Sequence, residues 1–168
     1  LGLLAVGLDW RSRDVRLSGD IGWQDHKLKR TRTNVTLGTN VTSVPTVPDN
    51  QSNHAQPWSY SNERDTFGTF RGEWDITPDV TAWAAAGARR SEEANSLANI
   101  TVNNGSTGAA TAYRFDNTRE DSVNTGELGV RGKLQTGSVG HEWVASASLF
   151  DFEKKNAYAM DSRNTLAT

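Results

Sequence analysis

The stretch that most constrains the fold runs from Asp65 to Arg90, two alternating segments joined by Thr77-Pro78-Asp79. In its first arm Phe70, Trp74 and Ile76 share one side with Gly68 and Gly72, while Thr69, Arg71, Glu73 and Asp75 share the other. Side chains of a β-strand alternate between faces, so this strand has one apolar and one charged face. The second arm, Thr81 to Gly87, is small on both sides apart from Trp83. The unit is a β-hairpin. Trp74 and Trp83 flank its turn, at the height where an aromatic girdle lies at a membrane-water boundary. A soluble β-sandwich alternates in the same way, so the rest of the chain has to discriminate.

Four more segments repeat the pattern. Leu4, Val6, Leu8 and Trp10 alternate with Ala5, Gly7, Asp9 and Arg11, and after Ser12-Arg13-Asp14 come Val15, Leu17, Gly19, Ile21 and Trp23 against Arg16, Ser18, Asp20, Gly22 and Gln24. Gly126, Leu128, Val130, Gly132 and Leu134 oppose Thr125, Glu127, Gly129, Arg131 and Lys133. After Gln135 to Gly140, Trp143, Ala145, Ala147 and Leu149 are placed on the lipid side and Val144, Ser146, Ser148 and Phe150 inside, the opposite assignment being nearly as good.

Between these segments the connections run short, long, short, long, short. Residues 25–64, interrupted by Pro45, Pro48 and Pro57, and residues 91–121 read as long polar loops. The tail from Lys155 to Thr168 reads as the start of a third. Up-and-down barrels of the outer membrane have this asymmetry, with brief periplasmic turns and long outer loops, whereas a sandwich has no reason for it. The pattern predicts an all-β fold: an antiparallel up-and-down transmembrane β-barrel fragment, about six strands as an open curved sheet with short periplasmic turns and long extracellular loops. Residues 1–168 then form part of one barrel domain. On this reading Trp10, Trp23, Trp74, Trp83 and Trp143 point outward. The inward charges, Arg16, Asp20, Arg71, Glu73, Asp75, Glu127, Arg131 and Lys133, call for water or an inserted plug.

Composition narrows the function. A mean hydropathy of -0.63 and the absence of long apolar runs exclude membrane-spanning helices but not barrel strands, which give only half their residues to lipid. A net charge of -2 offers no basic footprint for nucleic acid. No cysteine is present, so there is no disulfide, thiolate metal site or thiol nucleophile. His26, His54 and His141 lie in no metal-ligand spacing. Glu73 and Asp75 lack a neighbouring nucleophile or base, so no catalysis and no cofactor is expected. Five N-x-S/T triplets, at Asn34, Asn40, Asn50, Asn99 and Asn104, fall in the polar loops and are read as chance products of their Asn and Thr content.

Two stretches, QPWSYSNERDTFGTFRGEWDITPDVTAWAAAGARRSEEANSL from Gln56 to Leu97 and YRFDNTREDSVNTGELGVRGKLQTGSVGHEWVASASLFDFEKKNAYA from Tyr113 to Ala159, resemble the barrel region of TonB-dependent ferric-siderophore receptors. The resemblance implies a barrel of about 22 strands with a plugged lumen, a ferric siderophore as transported ligand, outer-membrane lipid around the wall, and energy supplied through the TonB complex. A siderophore keeps its iron wrapped, so the receptor needs aromatic faces and directed polar groups rather than iron ligands. In the polar loops those are Trp58, Tyr60, Tyr113, Arg114 and Phe115, the arginine being suited to anionic groups on the chelate. A receptor of the same architecture for a corrinoid or glycan, and a soluble all-β binding module, are the alternatives.

Overall fold

The computed structural model describes residues 1–32, 35–46, 49–53 and 55–167, with side chains through Asp161. His54, Pro48 and the triplet asparagine Asn34 lie outside the described residues. The strands are β1 (Gly2–Arg11), β2 (Val15–Lys29), β3 (Val35–Leu37), β4 (Tyr60–Thr77), β5 (Val80–Val102), β6 (Ala110–Thr136) and β7 (Val139–Ala167). They pair in the order β1-β2-β4-β5-β6-β7, with β3 alongside β5. Neighbours in space are thus neighbours in sequence, as in an up-and-down sheet.

The strands outrun their amphipathic segments. The polar stretch 91–121 is mostly β5 and β6, leaving only residues 103–109 as a connection, and the tail read as a loop is the continuation of β7 to Ala167. Period-two patterning marks a strand only where its two faces meet different surroundings, and these extensions are polar on both. The connection that runs through Pro45 remains long, from Arg30 to Ser59, with β3 inside it.

The chain divides into two compact units. The first comprises residues 1–25, 64–91 and 120–155. Its turns are tight: Ser12 N–H donates to the Val15 carbonyl at 2.8 Å, and Gly137 takes the left-handed φ of 62° in the β6–β7 hairpin, where a side chain would cost strain. The β1–β2 register sets Leu4 opposite Trp23, Val6 opposite Ile21, Leu8 opposite Gly19 and Trp10 opposite Leu17, so their apolar residues share one face. A Cβ on Gly72 would meet Leu17, and one on Gly19 would meet Phe70, which puts β4 on that same side.

This unit is inside out by the standard of a water-soluble domain. The apolar face is open, with Leu149 80% exposed, Leu8 73% and Trp74 56%. The opposite face holds the charges, joined in ion pairs across strands. Glu73 accepts from Arg16 (3.2 Å), Arg71 (2.9 Å) and Arg131 (2.9 Å). Asp75 holds the Arg16 guanidinium by two bonds of 2.6 Å, and Arg89 reaches Asp65 at 2.7 Å. Besides the water or plug expected for such charges, the sheet supplies part of the balance itself, since Arg16, Arg71 and Arg131 pair with Glu73 and Asp75.

Trp83 corrects the expectation that all five tryptophans point outward. Trp10, Trp23, Trp74 and Trp143 belong to the apolar side, but Trp83 lies on the charged face, 9% exposed. Its indole N–H donates to Glu127 at 2.5 Å, and the guanidinium carbons of Arg71 and Arg131 stand 5.6 and 5.8 Å from its ring centroid. The ring fills the space over Gly129, where a Cβ would collide with it. Glycine opposite an aromatic thus decides which face the aromatic takes.

The second unit comprises residues 26–63, 92–119 and 156–168. Among the described residues its buried ones are mostly small: Ser96 (0% exposed), Ala112 (1%), Ala98, Val102, Ala110 and Ser59, together with Asn95. β3 pairs parallel with the end of β5, Val35 opposite Ile100 and Leu37 opposite Val102. Arg30 N–H donates to the Ser59 carbonyl at 2.7 Å, Asn53 to the Arg30 carbonyl at 3.0 Å and Arg32 to the Ser52 carbonyl at 2.6 Å. The long connection is therefore tied at its base. The 103–109 turn is closed by Asn104, whose side-chain oxygen accepts the Ser106 and Thr107 N–H groups at 2.9 and 3.0 Å.

Candidate ligand-binding site

All five residues singled out for ligand contact lie in the second unit, and alternation divides the three on β6 between its two faces. Arg119 pairs with Glu93 at 2.7 Å, which defines one face of β5 and β6. Phe115 and Tyr113 have the parity of Arg119 and share that face. Arg114 has the opposite parity, together with Ala110 and Ala112.

On the small-residue face Arg114 meets Trp58, its guanidinium carbon 5.2 Å from the ring centroid, and pairs with Asp116 at 2.9 Å. A cation over an indole is worth about 0.5–1 kcal/mol at an exposed site. Trp58 sits in the turn that ends the long connection, so this contact latches the end of that connection to β6. Tyr60, half-buried, opens β4 two residues later. Arg114→Ala should leave the strands intact and expose the 30–59 connection. Limited proteolysis of the variant should then cut within 30–59 faster than in the parent, and an unchanged cleavage rate would dismiss the latch.

On the other face Phe115 stacks with Tyr158 of β7, ring centroids 6.1 Å apart and planes 26° apart. Tyr158 is 65% exposed. Glu93 also accepts from the Asn95 side chain at 2.5 Å, while the Asn95 side-chain oxygen is buried with no partner among the described residues. Aromatic rings, amides and a closed ion pair thus sit on one surface, a combination that suits a bulky polar molecule offering both ring faces and hydrogen-bond donors. Tyr158 lies in the polar tail whose composition predicts a loop, whereas the structure continues β7 through it. The signal was the alternation of Tyr158 and Met160 with Ala157 and Ala159. Among the described residues no group of three or more His, Cys, Asp or Glu could hold a metal ion.

No protein-family model matches the chain. It is 32% identical over 139 residues, 83% of its length, to the ferrichrome receptor FcuA of Yersinia enterocolitica, of which it spans 18%. Its fold matches the crystal structure of BauA, the ferric preacinetobactin receptor from Acinetobacter baumannii, with a TM-score of 0.87 over 94% of the chain at 25% identity, spanning 23% of that receptor. The chain is similar along most of its length to a portion of siderophore receptors. It corresponds to an all-β portion of such receptors, and the open apolar face and the ion pairs of its first unit take their sense from that likeness. Both relatives are named as receptors rather than enzymes.

Proposed function

We propose that the chain is part of an outer-membrane receptor that captures ferric siderophores at the cell surface and imports them with energy delivered through the TonB complex. The observation that carries this reading is the likeness to a ferrichrome receptor along 83% of the chain. The polarity of the first unit supports it. From Gly68 to Ile76 the outward residues of β4 are apolar or glycine, close to the 9–11 residues that a tilted strand needs to cross a bilayer, and the backbone groups pair along the sheet as lipid requires. In this reading residues 1–168 belong to one barrel domain, with lipid against Leu8, Phe70, Trp74, Leu128 and Leu149. The plug and the remaining strands come from the rest of the receptor.

Tyr113, Phe115 and Tyr158 would then offer their faces to the chelate, as aromatic rings suit a bulky polar ligand. Trp58, Tyr60 and Arg114 would shape and hold the connection beside them. The full-length receptor should show saturable tryptophan quenching by one member of a panel of ferric hydroxamate and catecholate chelates. Phe115→Ala or Tyr158→Ala should weaken that binding by roughly three- to tenfold, the worth of an aromatic contact. A response to a corrinoid or oligosaccharide with silence toward every ferric chelate would overturn the siderophore reading and leave the barrel. Binding without uptake in cells lacking TonB is the expected sign of the energy source.

A further inference from the structure

Arginine on β6 suits an anionic ligand by composition, yet both arginines between Ala110 and Arg119 are already neutralised. Arg114 is held by Asp116 at 2.9 Å and lies over the Trp58 ring. Arg119 is held by Glu93 at 2.7 Å, with only 34% and 22% of the two side chains exposed. On the face that Arg119 shares with Tyr113 and Phe115, the alternate residues of β5 from Glu93 to Thr101 and of β6 from Thr111 to Arg119 include one anion and one cation, and these two are bonded together. The Glu93 carboxylate is engaged a second time by the Asn95 amide. Asn95 is 8% exposed, and its carboxamide oxygen has no partner among the described residues. Turning the amide over would not help, because it would point an acceptor at a carboxylate.

We propose that this face selects an electrically neutral ferric chelate carrying amide N–H donors and discriminates against chelates of net negative charge. The inference rests on the siderophore reading above and deepens it. Iron(III) held by three hydroxamates is neutral, whereas three catecholates leave it trianionic. An anion entering this surface loses hydration and regains it only from uncommitted cations. Recruiting Arg119 breaks its bridge and leaves the Glu93 carboxylate facing the incoming anion, so like-charge repulsion adds to the lost pair. A neutral chelate meets neither cost. Its N–H groups complement an acceptor short of a donor, the Asn95 oxygen, and its apolar edges complement the stacked rings of Phe115 and Tyr158.

The test titrates the full-length receptor in detergent with a neutral ferric tris-hydroxamate and a trianionic ferric tris-catecholate, read by tryptophan quenching. The neutral chelate should bind more tightly by about tenfold or more, with an affinity that stays flat from about 0.05 to 0.5 M salt because the ligand carries no charge to screen. Glu93→Gln keeps the side-chain shape and frees Arg119. It should raise catecholate affinity about tenfold, the scale of a charge-assisted hydrogen bond, and narrow the preference. A parent that prefers the trianionic chelate, or a Glu93→Gln variant with the parent's preference, overturns the proposal. Should Glu93→Gln fail to fold, Asn117→Lys decides in its place, since it adds an uncommitted cation on the same face of β6 and should bring the same gain. Silence toward these and every other ferric chelate ends the siderophore reading itself, whereas tighter binding of the anionic chelate ends this inference alone.

Discussion

Replacing Glu73 with glutamine should destabilise the barrel by about 2 kcal/mol, the scale of hydrogen bonds to charged groups. Glu73 is the node at which Arg16, Arg71 and Arg131 meet, and its side chain is only 15% exposed. Glutamine keeps the volume but loses the charge, and its amide N–H groups face guanidinium donors. Three cations then share a surface with the carboxylates of Asp75 and Glu127 alone. Removing one of the orphaned cations should recover part of the loss, so Glu73→Gln combined with Arg131→Gln should cost less than the sum of the two single changes. The control is Glu142→Gln. Its bridge to Lys133 at 3.1 Å is open to solvent on both sides and should be worth little. Heat-induced unfolding of the full-length receptor in detergent measures all of them, and equal midpoints for Glu73→Gln and Glu142→Gln would refute the node.

Trp83→Ala should cost more, about 3 kcal/mol, the range for truncating a large buried aromatic. The substitution leaves an empty space over Gly129, deprives Glu127 of its indole donor and uncovers Arg71 and Arg131. Gly129→Val attacks the same contact from the other side, because its Cβ cannot coexist with the ring as placed, so it should also be destabilising and should shift Trp83 emission toward that of a solvated indole. Trp74→Ala, on the open apolar face, exchanges contact with lipid or detergent only and should move the unfolding midpoint little. If Trp74→Ala proves as damaging as Trp83→Ala, the assignment of the two tryptophans to opposite faces is wrong.

These two tryptophans also mark how far the sequence could be read. Trp74 follows its strand's alternation and lies where the pattern sets it. Trp83 sits among Thr81, Ala82, Ala84, Ala85 and Ala86, where small residues on both sides give alternation nothing to grip. Its face is decided by Gly129, a residue 46 positions away in the chain whose pairing is unknown until the strands are in register. The same limit hid the upper parts of β5, β6 and β7, where polar residues occupy both faces. Of the five residues proposed for ligand contact, the sequence grouped Trp58 and Arg114 by loop composition and the structure joins them, but in a contact that latches the long connection. It sets Phe115 beside Tyr158, a partner in a stretch taken for a loop.

The sequence by itself determined the class of fold, the strands of the first unit, their apolar and charged faces, and the short-long rhythm of their connections, because each of these follows from local alternation and turn chemistry. Tertiary structure alone decided the pairing of Glu73 with three arginines, the inward position of Trp83 and the stacking of Phe115 on Tyr158. Each of these depends on which residues of distant strands stand side by side, and register between strands is set by the packing of whole faces rather than by any one segment.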